Sequence, residues 1–375
     1  MQAAHRAGYE VGGVLYMAME LSNRKWKVAF GNGERLRRKS VDARDGVRLL
    51  EEIRQAKRKL GVAVDARVVC CYEAGRDGHW LQRWLSAEGL EVLEIDSSSI
   101  ERAQGRKHVK TDRVDVERLL DLLLRYCLGF RKAFRVVRVP DERAEASQRL
   151  HREDEYLVKQ RGRIGNRIRG LLVLQGIGRV SLGKDFVERL ERIRLWNGAG
   201  LSEELKSELR RLHGQWELFD EQLRQVQVAY AEELLSGTAV GETRRRLEKL
   251  KAVGAKTSRV LAAEAFSWRR FANTRQVGAM SGLTPTPAQS GDRRTEQGIA
   301  KAGNRRVRRV TIELGWLWLR WQPGSALSRW FERRFGRGGP RSRRIGIVAL
   351  ARKLLIALWR YLEEGVIPEG AVLNG

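Results

Sequence analysis

Five side chains spread over most of the chain are of the types that transfer phosphoryl groups. Four are carboxylates: Glu20 after the run YMAM, Glu73 at the end of RVVCCYE, and Asp112 and Asp115 within KTDRVD. Four oxygen donors suit Mg2+, a hard cation that keeps part of its water shell and bridges phosphate oxygens. The fifth is Ser290, beside Gly291 in the stretch TPTPAQSGDRRTEQGIAKAGNRRVRR, Thr284 to Arg309. A small hydroxyl set among glycines and fixed positive charge can grip a phosphate or attack it. No histidine lies near it in sequence. Attack therefore needs a base from elsewhere, or a metal and arginines that lower the hydroxyl pKa.

Taken singly, each acid reads equally well as a surface charge, and Asp112 and Asp115 also suit a helix N-terminus. Ser290 alone reads as an ordinary loop serine. The ordered set of four acids, each at the end of an element, is the specific signal. Two β-like runs flank Ser22-Asn23 between Gly13 and Phe30, and a third alternating run covers Arg35–Ser40. Asp45–Leu60 is helical, with Val47, Leu50, Ile53 and Leu60 on its apolar side; Arg67–Glu73 is a strand, Gly78–Glu88 a helix and Leu90–Ile95 a strand. Strands alternating with helices indicate an α/β layer with a partly parallel sheet. A polar loop, Ser97–Lys110, then opens into a helix that Thr111 can cap, with Asp112 and Asp115 one turn apart. In a ribonuclease-H-like fold, carboxylates at these places converge on one sheet edge.

After the strand-like Val136–Val139 and the break at Pro140, the composition changes. Asp141–Leu174 reads as one long helix, and a second helical region runs from about Asp185 to Leu235 with loops near Asn197–Gly200. Two long antiparallel helices, a coiled-coil arm, fit this best. Leu250–Phe266 has the helix–glycine turn–helix pattern of a phosphate-gripping hairpin. Pro285 and Pro287 are expected to stop the helix before them, leaving Thr284 onward as a loop. A new helix starts at Asn304 and carries a core stripe of Val307, Val310, Leu314, Leu317 and Trp321; helices at Ser325–Phe335 and Arg343–Glu364 follow. Trp316, Trp318, Trp321 and Trp330 crowd this basic region; stacking on bases is one role, and core packing is the stronger one for Trp318 and Trp321.

Composition names the partner. Seventy-three Lys+Arg against 46 Asp+Glu give a formal net charge of +27. Such excess points to a polyanion, through counterion release from phosphates. From Ser290 to Arg344 there are 15 Lys/Arg against 4 Asp/Glu, which concentrates the footprint there. Arg293, Arg294, Lys301, Arg305, Arg306 and Arg309, with Lys110 before the KTDRVD helix, are the candidate nucleic-acid contacts. Cys70, Cys71 and Cys127 lack metal-ligand spacing and read as small buried hydrophobes of a reducing compartment. No signal-peptide run or membrane span is present in the sequence, so a cytoplasmic protein with no membrane partner is expected.

In order, the chain presents Glu20 after YMAM, YEAGRDGHWL, KTDRVD, VGAKTSRVLAAE, GLTPTPAQSG and GIAKAGNRRVRR. This series resembles the insertion-sequence transposases with a DEDD RuvC-like N-terminal domain and a C-terminal serine transposase domain, the bridge-RNA-guided recombinases. The resemblance runs from about Leu15 to Tyr361. It implies a RuvC-like domain over 1–140, a coiled-coil linker over 141–240 and a helical transposase domain over 241–375. It implies Mg2+ at Glu20, Glu73, Asp112 and Asp115, and Ser290 as the nucleophile of a 5′-phosphoserine link to DNA. It further implies target and donor duplex DNA, a structured noncoding RNA, and a dimer or tetramer in which acids and serine meet across protomers, in a bacterial or archaeal nucleoid setting. Two positions depart from the family: Glu20 stands where aspartate is usual, and Lys251 and Ala252 replace a proline and a glycine of the hairpin turn, leaving Gly254. A RuvC-like metal nuclease or junction resolvase, and a non-catalytic binder of structured RNA or DNA junctions, are the alternatives.

Overall fold

The computed structural model describes residues 13–75, 78–100, 112–178, 180–290 and 293–374. It divides into two compact units, residues 1–140 and 141–375.

The first unit is a mixed five-stranded sheet. Strands β1 (Val14–Glu20), β2 (Lys25–Gly31) and β3 (Leu36–Asp42) form an antiparallel meander, and β4 (Arg67–Glu73) and β5 (Glu91–Ile95) add in parallel beside β1, giving the order β3-β2-β1-β4-β5. Helices α1 (Gly46–Leu60) and α2 (Trp80–Ala87) bury Leu49, Ile53, Leu81 and Leu85 against Leu15, Met17 and Met19. Helix α3 (Asp112–Cys127) buries Val116, Leu119 and Leu123 with Val14, Tyr16 and Ala18. β1 thus alternates between two cores, which explains a run with almost no polar residue. This arrangement agrees with the ribonuclease-H-like reading. Cys70 lies in one core and Cys71 and Cys127 in the other, all buried and unbridged.

Two local expectations need correction. Val136–Val139 is not a strand but a single antiparallel bridge from Val136 to Ile95. The buried side of α1 is Leu49, Glu52, Ile53, Ala56 and Leu60, while Val47 stands in solvent. Glu52 belongs there because Arg37 and Arg48 neutralise it at 2.9 and 2.7 Å, so a charged residue occupies a position that local spacing assigns to an apolar one.

The second unit is mainly helical. Helices α4 (Glu142–Val173) and α6 (Glu203–Leu235) are 32 and 33 residues long and flank the short α5 (Phe186–Arg192). They run antiparallel, since Arg167 bonds Glu208, Arg161 bonds Asp220 and Gln227 bonds Asp154. Asp141 and Ser202 cap them by accepting from Ala144 N and Leu205 N. Then follow α7 (Ala239–Glu248), α8 (Ala255–Leu261) with a π turn (Ala262–Phe266), α9 (Thr274–Ser281), strands β6 (Pro285–Ser290) and β7 (Arg293–Ile299), α10 (Arg305–Trp321), α11 (Ala326–Phe331) and α12 (Pro340–Glu364). A single core joins Leu250, Val260, Val277, Val310, Leu314, Trp318, Leu350 and Leu354.

Three expectations change here. The prolines do not end α9: Gly282 does, at φ +66. Thr284 onward is not an open loop but an antiparallel ribbon, β6 with β7. Proline lacks a donor, yet both strands of a two-stranded ribbon are edges, and a register irregularity lies between Pro285 and Pro287. On α10 the buried line continues from Leu314 to Gly315 and Trp318, leaving Leu317 and Trp321 exposed. Trp318 is held inside because its Nε1 donates to the buried Ser325 Oγ at 2.9 Å.

Candidate functional site

Parallel pairing sets two of the acids side by side. β1 and β4 are in register through Met19 and Tyr72, so Glu20 and Glu73 end adjacent strands at the same level. Glu73 is exposed and Glu20 partly buried. The third acid is placed by α3. Glu117 on α3 pairs with Arg38, which is in register with Ala29 and through it with Ala18. One turn later Leu120 lies where a side chain on Gly31 would touch it at 3.2 Å, and Gly31 is in register with Tyr16. The helix therefore runs toward the N-terminal ends of β1 and β4, and its first turn, with Asp115, lies toward the Glu20–Glu73 edge. Cys71 Sγ, donating to Leu119 O at 3.7 Å, ties the helix to β4. Asp112 begins α3, but its side chain lies outside the described part, as does all of Lys110.

An edge of carboxylate oxygens has the donor chemistry for a hard divalent cation. Among the described residues, no three His, Cys, Asp or Glu side chains gather closely enough to hold one. Among the described side chains, Glu20 and Glu73 end adjacent strands and Asp115 lies toward the same edge. Beneath it the thiols take no part: burial pushes the Cys70 and Cys71 pKa values far up, and that of Cys127 to about 11.

The serine belongs to the second unit. Ser290 is the last residue of β6 and is in register with Arg293, the first of β7, three residues on. Gln289 pairs with Arg294. The side chains of Ser290, Arg293 and Arg294 lie outside the described part. The base of the ribbon is fixed by backbone. Asn304 N donates to Met280 O at 2.7 Å, Lys301 N to Gly282 O at 3.2 Å and Ala300 N to Thr284 O at 2.9 Å. These segments approach so closely that a Cβ on Gly282 would sit 2.3 Å from Ala302 O, and one on Gly303 would sit 2.4 Å from Met280 O. Both glycines also have positive φ, +66 and +121. The spacing of GLT and AKAGN is therefore a clamp for the ribbon.

The arginines behind the ribbon divide into two sets. Arg306 Nε donates to Glu155 Oε2 at 2.7 Å, and Arg309 Nη2 bonds Glu155 Oε1. Burial raises the Glu155 pKa, but the Arg306 hydrogen bond, His151 and Arg309 outweigh it and hold the group below the usual value. Arg305 and Lys301 are exposed. Sequence reasoning missed the acid at the centre of this region. Glu264, 2% exposed, accepts from Arg152 Nε and Nη2 at 3.2 and 3.3 Å and from Asn304 Nδ2 at 2.7 Å. It ends the VGAKTSRVLAAE motif, which was its only local signal.

Of the hairpin read over Leu250–Phe266, the turn and the second helix, α8, lie in that stretch, while the helix before the turn, α7, already ends at Glu248. The turn carries Ala252 at φ +84, a conformation that glycine adopts freely and alanine does not.

A mixed sheet with acids at one edge, joined to a basic helical unit, defines a nucleic-acid-processing class. Residues 23–176 match a family model for a DEDD-type transposase, and residues 244–329 match the model described as the transposase IS116/IS110/IS902 family. The first match includes Glu73, Asp112 and Asp115 and starts three residues after Glu20; the second includes Ser290. The chain is 38% identical over 378 residues to "Putative transposase y4rJ" of Sinorhizobium fredii, covering 96% of this chain and 95% of that one. It is 25% identical to the transposase for insertion sequence element IS1328 of Yersinia enterocolitica, over 80% and 85% of the two chains. Identity to the transposase for IS1111A of Coxiella burnetii is 28%, over 64% and 62%. The chain belongs to the IS116/IS110/IS902 family of insertion-sequence transposases. Its DEDD domain implies use of a divalent metal, typically Mg2+. No helix among the described residues is long and apolar enough to cross a membrane.

Proposed function

We propose that this transposase cuts and rejoins DNA through Ser290, with Mg2+ held by Glu20, Glu73, Asp112 and Asp115. The observation that carries the reading is the placement of Ser290. It closes a strand on a ribbon whose base is clamped by backbone bonds and whose facing residue is Arg293. A nucleophile on a braced ribbon is held in position, and positioning supplies much of phosphoryl-transfer catalysis.

In the covalent step, the Ser290 hydroxyl gives up its proton to solvent and its oxygen forms a bond to the scissile phosphorus. The bond from phosphorus to the 3′ oxygen breaks, and that oxygen leaves as a 3′ hydroxyl after taking up a proton. The 5′ phosphate stays on serine until the 3′ hydroxyl of the partner strand attacks it and frees the serine. Arg293 and Arg294 balance charge on the phosphate oxygens. Bound Mg2+ would supply Lewis-acid stabilisation of the same charge.

The division 1–140, 141–240 and 241–375, with the α4–α6 pair as a coiled-coil arm, belongs to this proposal. So do a guiding structured noncoding RNA, target and donor duplexes, and a dimer or tetramer that brings the acids of one protomer to the serine of another.

Incubating protein, RNA and end-labelled DNA, then resolving products under denaturing conditions, tests the chemistry. A protein–DNA adduct forms with Mg2+ and is lost in Ser290→Ala and in Asp115→Asn. Adduct at wild-type level in Ser290→Ala removes the serine from its role. Free 5′-phosphate ends without adduct identify a metal nuclease instead.

A further inference from the structure

A cleft of about 730 Å3 opens in the second unit between α4, α6, α8 and α10. Its acids are already engaged. Asp154 accepts from Gln227 at 3.2 Å, Glu313 pairs with Lys256 at 3.0 Å, and both Glu155 oxygens are taken by Arg306 and Arg309. Its remaining cations are not. Among the described residues Lys159, Arg259 and Arg305 have no carboxylate partner, although all three line the cleft.

Two buried donors strengthen the case. His151 is 3% exposed and lines the cleft, yet its Nε2 has no hydrogen-bond partner. The nearest carboxylate oxygen, on Glu155, is 3.6 Å away, beyond a hydrogen bond. Arg259 stacks 3.9 Å over the Tyr230 ring while its Nε also lacks a partner. Burial and the neighbouring Arg244 lower the Arg259 pKa, so its charge is held at a cost that an anion would relieve. Burial likewise lowers the His151 pKa, leaving a neutral ring at pH 7 with one nitrogen able to donate. Buried donors without partners are rare, and here both belong to residues that line a cleft with unpaired positive charge.

We propose that this cleft seats a phosphodiester group of a nucleic-acid backbone, with Lys159, Arg259 and Arg305 supplying charge and His151 Nε2 a neutral hydrogen bond. The inference needs only a nucleic-acid partner and is independent of the chemistry at Ser290. It is therefore tested by binding alone, in a Ser290→Ala background, where failure of the serine mechanism leaves the outcome untouched.

The probes are a 30-base-pair DNA duplex and an RNA hairpin with equal phosphate number, titrated by fluorescence anisotropy from 50 to 300 mM salt. Lys159 and Arg305 are exposed, so Lys159→Gln with Arg305→Gln leaves folding intact. Each lost duplex contact flattens the log-affinity against log-salt slope by about 0.9. Lys159 and Arg305 act on one phosphate, so the double variant should flatten it by about 0.9 on the probe that occupies the cleft, and the probe affected tells whether the phosphate comes from DNA or RNA. His151→Leu weakens the same probe roughly threefold to tenfold, as loss of one hydrogen bond predicts, and His151→Gln restores it. Arg58→Gln, an exposed charge on α1, serves as the control. Slopes equal to wild type on both probes, or a change no larger than in Arg58→Gln, overturn the proposal. Wild-type binding by His151→Leu removes the histidine from the site.

Discussion

Glu264→Ala is the sharpest perturbation of the helical unit. The carboxylate is 2% exposed and holds three donor contacts, two from Arg152 and one from Asn304. Removing one partner of a fully buried ion pair costs about 3–5 kcal/mol. Arg152 is 45% exposed, however, and its guanidinium can turn to water, so only the lower end of that range applies. Asn304 adds a second contribution. Its Oδ1 accepts from Arg306 N and Val307 N at 2.9 and 3.1 Å and caps α10, while its Nδ2 is anchored on Glu264. Loss of the anchor leaves an N-cap worth about 1 kcal/mol poorly oriented.

Together these give about 3–4 kcal/mol, or a fall of roughly 6–16 °C in the melting of a unit this size. Urea unfolding of Glu264→Ala, Asn304→Ala and the double variant reads both the size and the coupling. An interaction energy of about 0.5–1 kcal/mol is expected between the two sites. A Glu264→Ala protein within about 0.5 kcal/mol of wild type, or strictly additive single losses, would refute the account.

Ala252→Gly should stabilise the same unit by about 0.5–1 kcal/mol, because the φ of +84 costs alanine more than glycine loses in chain entropy; an unchanged urea midpoint argues against strain in the turn. Gly282→Ala should do the opposite, by about 3 kcal/mol or more, since its Cβ would meet Ala302 O at 2.3 Å, and the ribbon should become sensitive to limited proteolysis. His151 has a folded pKa below its ordinary 6.5, so the unfolded chain takes up the proton first. Stability therefore falls as pH drops below about 6.5, and His151→Phe should reduce that loss between pH 7.5 and 5.5. Glu155, held below its ordinary 4.5, contributes stability above that value and loses it at lower pH, a second decline that Glu155→Gln removes. Native protein should resist thiol reagents at pH 8 at all three cysteines and react fully in guanidinium, because burial raises each thiol pKa.

The sheet was legible because period-two alternation and short apolar runs mark half-buried and buried strands, and because Glu20 and Glu73 sit where those runs stop. Parallel pairing then placed the two acids together without any further signal. The long α4 and α6 were equally plain: no proline interrupts them, and Asp141 and Ser202 stand at cap positions. What stayed hidden was set by tertiary partners. Glu52 occupies a core position because two arginines neutralise it, and Trp318 rather than Trp321 turns inward because a buried serine accepts its ring hydrogen. The Glu264 network joins residues more than a hundred positions apart, beyond any local spacing.

The ribbon is the most instructive difference, because the residues that disguised it also explain it. Pro285, Pro287 and the Ser290-Gly291 pair read as loop chemistry, and in a central strand they would break the ladder. A two-stranded ribbon has no central strand. A residue without a donor costs an edge strand nothing on its open side, where no ladder bond is made. Stability that a lone ribbon lacks is supplied at its base, where Gly282 and Gly303 let two backbone segments approach closely enough for direct hydrogen bonds. The glycines thus act at the base of the ribbon, away from its turn. The clamp fixes the base of the ribbon, and of the arginines behind it Arg306 and Arg309 hold the fold through Glu155 while Arg305 is exposed.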